Sequence, residues 1–268
     1  MNFVSEPNIS GKLTYLRNPT KEIHNVSDLD EGSLTFKPGN SDGGYYDTDQ
    51  NGDFLKVDYT GFQNAYYYDM HGNKHTISRI TVTYSNLKID PSHQASVTIA
   101  LKGSKNLRRV WNGLDLHFVK SIDQRFDFYD DQGNSINFEN GTAWLPIGSL
   151  TRWNDHTEKL QVVANGKLFQ ISGGNANLHS DGSLYQDNNT KYDSSGNPIP
   201  NILNSDGGAG IVSVQNGVTL RIITDFIPGT NGSNWNYFVA NTTALLGHSL
   251  TPPVAIIHYH NDVTLICY

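Results

Sequence analysis

A chain of 268 residues with 37% hydrophobic residues holds enough apolar material for one large core, and its net charge of −7 excludes a surface built to neutralise nucleic-acid phosphates. Only 17% of residues are charged; Asn, Ser, Thr, Gly and Tyr fill the difference, which is the composition of a neutral, hydrogen-bonding, turn-rich surface. Cys267 is the single cysteine, so an internal disulfide and a thiolate zinc site are both excluded, and no run approaches the roughly 20 apolar residues of a membrane-spanning helix.

In chain order, β-rich runs bounded by turn residues fall at 54–59, 77–84, 95–101, 117–119, 126–129, 159–163, 167–171, 218–226 and 254–259. Ile80, Val82 and Tyr84 alternate with Arg79, Thr81 and Thr83, which sends one face inward and the other toward polar surroundings; Val97, Ile99 and Leu101 repeat the pattern. Asn-Gly pairs stand at Asn51-Gly52, Asn112-Gly113, Asn140-Gly141, Asn165-Gly166, Asn216-Gly217 and Asn231-Gly232. Both residues tolerate positive φ, so each pair predicts a type I′ hairpin turn. A second turn type recurs at 69–73, 131–134 and 193–197, opening on Asp and closing on Gly-Asn. Only 28–33 and 240–246 have room for a helical turn or two. There is no fixed-period repeat and no β-α-β alternation. The prediction is one all-β domain over 1–268, a sandwich of stacked antiparallel sheets with long loops and few short helices. The longest interruption, 172–209, is rich in Gly, Asn, Asp and Ser; a segment of that length is functional or a surface flap.

Catalytic motifs are absent: there is no Gly-x-Ser-x-Gly elbow, His-Glu-x-x-His helix or phosphate loop. A glycosidase needs two carboxylates at a set distance across the scissile bond. Asp123 and Asp127 are the nearest pair, and their even spacing says only that they share a strand face. His258 and His260 also share a face, open to a metal or to a polar strand surface. For calcium, Asp47, Asp49, Asn51, Asp53 and Asp58 occupy the oxygen positions of a twelve-residue loop with Gly52 at its sharp turn. Strand-like flanks and Asp58 in place of the usual Glu leave a polar Asx turn as the other reading. Among the aromatics, Tyr66-Tyr67-Tyr68 must alternate faces, and Trp144, Trp153 and Trp235 lie in or beside loops where they stack on a sugar or fill the core. Lys102, Lys105, Arg108 and Arg109 form one short basic cluster.

Taken together, several segments resemble the variable domain of streptococcal antigen I/II adhesins, a group that includes glucan-binding protein C and the enterococcal aggregation substance. They are Asn2-Phe3-Val4-Ser5-Glu6-Pro7-Asn8, the strand pair 56–64 and 77–84, the hairpin Phe126-Asp127-Phe128-Tyr129-Asp130 with Gly133-Asn134, the run 143–151 followed by Glu158, and Pro252-Pro253 with His258-Tyr259-His260. The resemblance implies a lectin-like stack of sheets with a cleft on top, often holding calcium, at the head of a wall-anchored stalk. It also implies ligands such as glucans, host glycoproteins, lipoteichoic acid and DNA. The family's Ser-Leu-Asn segment at the cleft corresponds to Ser149-Leu150-Thr151, with Thr in place of Asn; its Gly-Ser-Ser motif corresponds to Ser172-Gly173-Gly174. The cleft carries over, and the identity of the ligand does not.

The residues and the resemblance converge on a non-catalytic adhesin module that recognises a glycan or host glycoprotein, with glucan and lipoteichoic acid as candidates and calcium as a candidate cofactor. The ligand site is placed at Ser149, Thr151, Trp153, Asn154 and Glu158, facing Ser172, Gly173 and Asn175. DNA is not expected as a partner at this net charge, membrane insertion is not expected, and the isolated domain is expected to be monomeric. The cysteine count fits a Gram-positive surface protein. No secretion signal follows Met1, so the chain reads as a module cut from a larger wall-anchored protein. The rival readings are a polysaccharide-degrading enzyme on a β-sandwich and a structural spacer.

Overall fold

The computed structural model describes residues 2–3, 9–24, 41–69, 71–101, 112–138, 143–148, 150–171, 174–188, 208–226 and 233–238. Among them the chain is all β, without a helix. The strands are β1 (Asn2–Phe3), β2 (Ser10–Tyr15), β3 (Lys21–His24), β4 (Ser41–Tyr46), β5 (Gln50–Thr60), β6 (Ala65–Tyr68), β7 (Lys74–Thr76), β8 (Arg79–Ile89) and β9 (Ala95–Ala100). They continue as β10 (Asn112–His117), β11 (Val119–Tyr129), β12 (Trp144–Ile147), β13 (His156–Gln170), β14 (Ala176–Leu178), β15 (Leu184–Gln186), β16 (Gly210–Phe226) and β17 (Ser233–Phe238). The expected helical turns at 28–33 and 240–246, and the strand at 254–259, lie outside the described residues.

All pairings are antiparallel, and the ribbon β13–β16 organises them. The C-terminal half of β16 pairs with β11, which leads through β8 and β5 to β2. Its N-terminal half pairs with β12, which leads through β17, β10, β9 and β4 to β3. β13 accompanies β16 along both halves and carries the small hairpin β14–β15 on its far side. The ribbon therefore passes from one wall to the other, and the corner falls where the β13–β16 register shifts between Val162 and Gly166. One apolar cluster takes side chains from both walls, including Phe54, Val57, Ile80, Val82 and Phe126 from the first and Val97, Ile99, Leu114 and Leu145 from the second. This is the stacked-sheet fold the alternation predicted. A separate three-stranded sheet, β1-β6-β7, covers one flank with Tyr67 packed edge-on against Phe138.

Three Asn-Gly pairs read as hairpin turns are bulges inside long strands instead. Asn165-Gly166 lies within β13 and Asn216-Gly217 within β16, opposite one another at the corner, with Asn165 donating its side-chain amide to the Asn216 carbonyl at 3.3 Å. Asn51-Gly52 makes the bulge at the start of β5. Positive φ at Gly52 (+76°), Asn165 (+59°) and Gly217 (+65°) serves a bulge as well as a turn, which is why the dipeptide alone does not distinguish them. The Asp-to-Asn turns are as expected at 69–73 and begin one residue earlier, at Asp130, in the second case. Asp69 and Asp130 each accept two backbone N–H groups of their own loop and one from the closing Asn side chain.

Candidate functional site

β12 ends at Ile147, and the chain re-enters a wall only at His156. Strand alternation then puts His156, Glu158 and Leu160 on the core side and Thr157 and Lys159 outward. A buried carboxylate needs donors. Glu158 finds them in the preceding loop: one oxygen accepts the Thr151 backbone N–H at 3.3 Å and the Thr151 hydroxyl. The same hydroxyl oxygen accepts the Trp153 indole N–H at 2.7 Å. Backbone bonds from Trp153 N–H to His156 C=O (2.8 Å) and from Glu158 N–H to Thr151 C=O (2.9 Å) close the loop.

Thr151 and Glu158 were expected on the surface of a cleft. Both are buried beneath the loop and turned on each other, because the strand period fixes Glu158 inward and Thr151 satisfies it. Trp153 is half-buried, with its ring over the His156 imidazole (centroids 6.2 Å apart, planes 21°), while Arg152 and Asn154 face outward. His156 escaped the sequence reading as one of ten scattered histidines; its spacing of two from Glu158 on a strand was the available signal. Ser149, Ser172 and Gly173 lie outside the described residues.

The described part of the long 172–209 excursion forms the β14–β15 hairpin, and it is tied to this loop. Leu150 donates its N–H to the Gly208 carbonyl at 2.9 Å and accepts the Gln186 N–H at 3.2 Å, and Arg152 donates to the Asp187 carbonyl at 3.2 Å. Gly208 permits this approach, since a Cβ there would lie 2.4 Å from the Leu150 oxygen. The loop and the described part of the excursion are thus joined through the backbone at Gln186 and Gly208. Asn175, half-buried, sits at the entry to β14. Beyond it runs an exposed row: Gln170 Nε2 donates to Asn177 Oδ1 (2.9 Å), Asn177 Nδ2 donates to Asp187 Oδ2 (2.5 Å), and Leu178 N–H returns to Gln170 Oε1 (3.0 Å). Next to it the His179 ring lies flat on Tyr185 at 3.7 Å, with the Lys159 ammonium 4.6 Å from the same ring. Amide, carboxylate and aromatic groups therefore share one surface.

The five oxygen-bearing residues expected around calcium are not gathered into one shell. Asp49 accepts the Ile89 N–H and the Lys88 ammonium, both at 3.0 Å, and Asn51 Oδ1 takes the same ammonium at 3.1 Å. The Ile89 N–H, ahead of the Lys88 charge, holds the Asp49 carboxyl below the usual range. Asp47 accepts from Gln94 at 2.6 Å, Asp53 faces Arg125 at 3.5 Å, and Asp58 takes Thr81 at 2.7 Å and Lys56 at 3.0 Å. The reason is local. Asn51-Gly52 bulges an otherwise extended β5, and at about 3.3 Å per residue the strand carries Asp58 roughly 16 Å beyond Asp53. Among the described residues no set of three or more His, Cys, Asp or Glu side chains is arranged to hold a metal, so this donor set does not fit the ion.

Asp123 and Asp127 share the outer face of β11, about 13 Å apart along the strand. Each is held by an arginine: Arg221 grips Asp123 at 2.6 and 2.9 Å, and Arg125 Nε meets Asp127 at 3.1 Å. That separation exceeds the 5–9.5 Å or so that glycosidic carboxylates need. Of the tyrosine run, Tyr67 turns inward and Tyr66 and Tyr68 outward, with Tyr68 half exposed. Trp144 packs edge-on against Phe169, and the Trp235 side chain, His258, His260 and the basic cluster of 102–111 lie outside the described residues.

The chain superposes on the adhesin domain of PrgB from Enterococcus faecalis with a TM-score of 0.52 and 16% identity, covering 75% of this chain and 67% of that one. Against the same domain bound to DNA the TM-score is 0.54 at 14% identity, covering 90% and 98%. Against glucan-binding protein C of Streptococcus mutans it is 0.56 at 15% identity, covering 95% and 81%. The sequence profile of the glucan-binding protein C family matches residues 9–236, and the chain belongs to that family.

Proposed function

We propose that the chain is a non-catalytic adhesin module of a Gram-positive cell surface that holds a glycan, glucan foremost, on the surface shared by loop 150–155 and the β14–β15 hairpin. The observation that carries this reading is the exposed row Gln170–Asn177–Asp187 beside Tyr185, joined through Leu150 to a loop that presents Arg152, Trp153 and Asn154. Sugar hydroxyls pair with amides and carboxylates, and sugar faces lie on aromatic rings. Family membership supports the same ligand class. A hydrolytic role gains nothing from Asp123 and Asp127, each neutralised by an arginine. Weak sites suffice for attachment when many copies act together, with wall anchoring supplied by regions outside this chain.

The test is retention on immobilised dextran, with lipoteichoic acid, a salivary glycoprotein and duplex DNA as parallel arms. Saturable dextran binding displaced by soluble dextran is expected. Asn177→Ala and Asp187→Ala should each weaken it about fivefold, the loss of one hydrogen bond worth about 1 kcal/mol. Retention on DNA alone would overturn the glycan reading and align the chain with the DNA-bound PrgB domain.

A further inference from the structure

We propose that His156 is a pH-operated latch, which holds loop 150–155 against β13 while its imidazole is charged and releases the loop when the charge is lost. The inference rests on the reading of that loop as part of the ligand surface, and it adds a regulation to it.

The geometry demands the charged form. His156 is only 6% exposed, with Asp155 Oδ1 2.8 Å from Nδ1 and Glu158 Oε1 3.6 Å from Nε2. A neutral imidazole carries one N–H; with a carboxylate oxygen at each nitrogen, one contact then sets lone pair against lone pair. The imidazolium offers a donor to both. Nε2 has no hydrogen-bond partner within reach, so a proton there has only Glu158 to face. Glu158 is not free to turn away, because its other oxygen is held by Thr151.

That carboxylate is also what organises the loop. It fixes Thr151, Thr151 fixes the Trp153 indole, and the Trp153 ring lies over the imidazole, a contact that gains when the imidazole is charged. The other charged groups nearby are committed elsewhere. On β16, His156 stands opposite Phe226, whose neighbour Asp225 is ion-paired with Lys159. On the loop, Arg152 is turned to the Asp187 carbonyl, and Asp187 itself meets His179 at 3.2 Å. Asp155 and Glu158 are therefore the two groups that answer the charge on His156.

Burial opposes that charge, and Glu158 followed by Asp155 outweighs it, so His156 is held above the ordinary histidine value of 6.5. A raised folded value stabilises the folded loop fully below 6.5, and the contribution is lost as pH rises through the folded value. The loop is latched in mild acid and loosened in alkali.

The experiment is amide hydrogen exchange on the whole chain at a series of pH values from 6 to 9, corrected for intrinsic rates, alongside dextran retention at the same pH values. Protection of amides 150–156 is expected to be lost across the His156 titration while β5 and β8 amides hold steady. Glu158→Gln removes the larger stabiliser of the charge and should move the midpoint to lower pH. His156→Gln should leave the loop weakly protected at every pH; if it fails to fold, the wild-type imidazole titration and Glu158→Gln carry the test. Loop protection independent of pH, or a Glu158→Gln midpoint equal to wild type, overturns the latch. A pH-dependent loop with no dextran retention at any pH supports the latch and sinks the glucan reading alone.

Discussion

At the scale of single residues, the outer face of the β5-β8-β11-β16 wall is organised by charges that satisfy one another across strands. Asp123 is nearly inaccessible at 2% and receives three donors: two from Arg221 and the Asn86 amide at 2.9 Å. Asn86 adopts φ of +51° and uses its oxygen to accept the Gly52 N–H at 3.0 Å, so one cluster spans four strands. Removing one member of a buried pair strands the other. Arg221→Met should therefore destabilise the fold, but by less than the 3–5 kcal/mol or so of a fully buried pair, because the guanidinium is 39% exposed; about 2 kcal/mol is expected. Adding Asp123→Leu should restore most of the loss, since both charges are then gone. Urea unfolding of the three proteins reads this directly; a double variant no better than Arg221→Met would mean that packing, and not charge, is what Arg221 supplies.

At the scale of elements, the bulges set how the walls meet, and glycine substitutions should rank by what a side chain would strike. Gly217 combines φ of +65° with a Cβ position 2.7 Å from the Phe126 carbonyl oxygen, a backbone atom that cannot step aside. Gly52, at φ of +76°, would meet only the tip of the Arg17 side chain at 3.3 Å. Gly52→Ala should cost about 1 kcal/mol for the left-handed backbone alone, and Gly217→Ala distinctly more, with strain at the β11–β16 junction added. Thermal melts that rank them the other way would remove the corner from its place as the constraint on the fold. The same positions show where sequence stops being informative. Alternation at Ile80, Val82, Tyr84, Val97 and Ile99 revealed the strands, because a period of two is a local property. Asn165-Gly166 and Asn216-Gly217 marked positive φ and were silent on whether the chain turns back or continues, since that depends on the partner strand. The site followed the same division. The loop after Ile147 was visible from its polar run, whereas the inward placement of Thr151 and Glu158 depended on the phase of a strand that starts only at His156. The carboxylates from Asp47 to Asp58 had calcium-like spacing, and nothing local announced that Lys88, Gln94 and Arg125 would come from other strands to meet them.

At the scale of the whole molecule, the sheet path dictates how the chain should unfold. Both halves of the chain contribute to one core. β8 and β5, from the first third of the chain, reach the C-terminal half of β16 only through β11, while the N-terminal half of β16 leads through β12, β17 and β10 to β9 and β4. Strands of the first half thus meet strands of the second half in both walls, at β11–β16 in one and β10–β17 in the other, and one cluster from Ile9 to Ile222 takes apolar side chains from each half. Separating the first and second halves would expose the apolar faces of β11 and β16, each lined with buried Ile, Val, Leu or Phe, and leave the β11–β16 and β10–β17 ladders unpaired. The expected behaviour is a single cooperative transition across the described body, with near-ultraviolet and far-ultraviolet circular dichroism coinciding and the calorimetric and van't Hoff enthalpies equal. Limited proteolysis that nicks the chain once should leave the flanking parts associated, because Leu150 is bonded through the backbone to both Gln186 and Gly208. Two separated transitions, or two fragments that each stay folded after cleavage and separation, would show that the walls are independent domains and that the β13–β16 ribbon is only a linker between them.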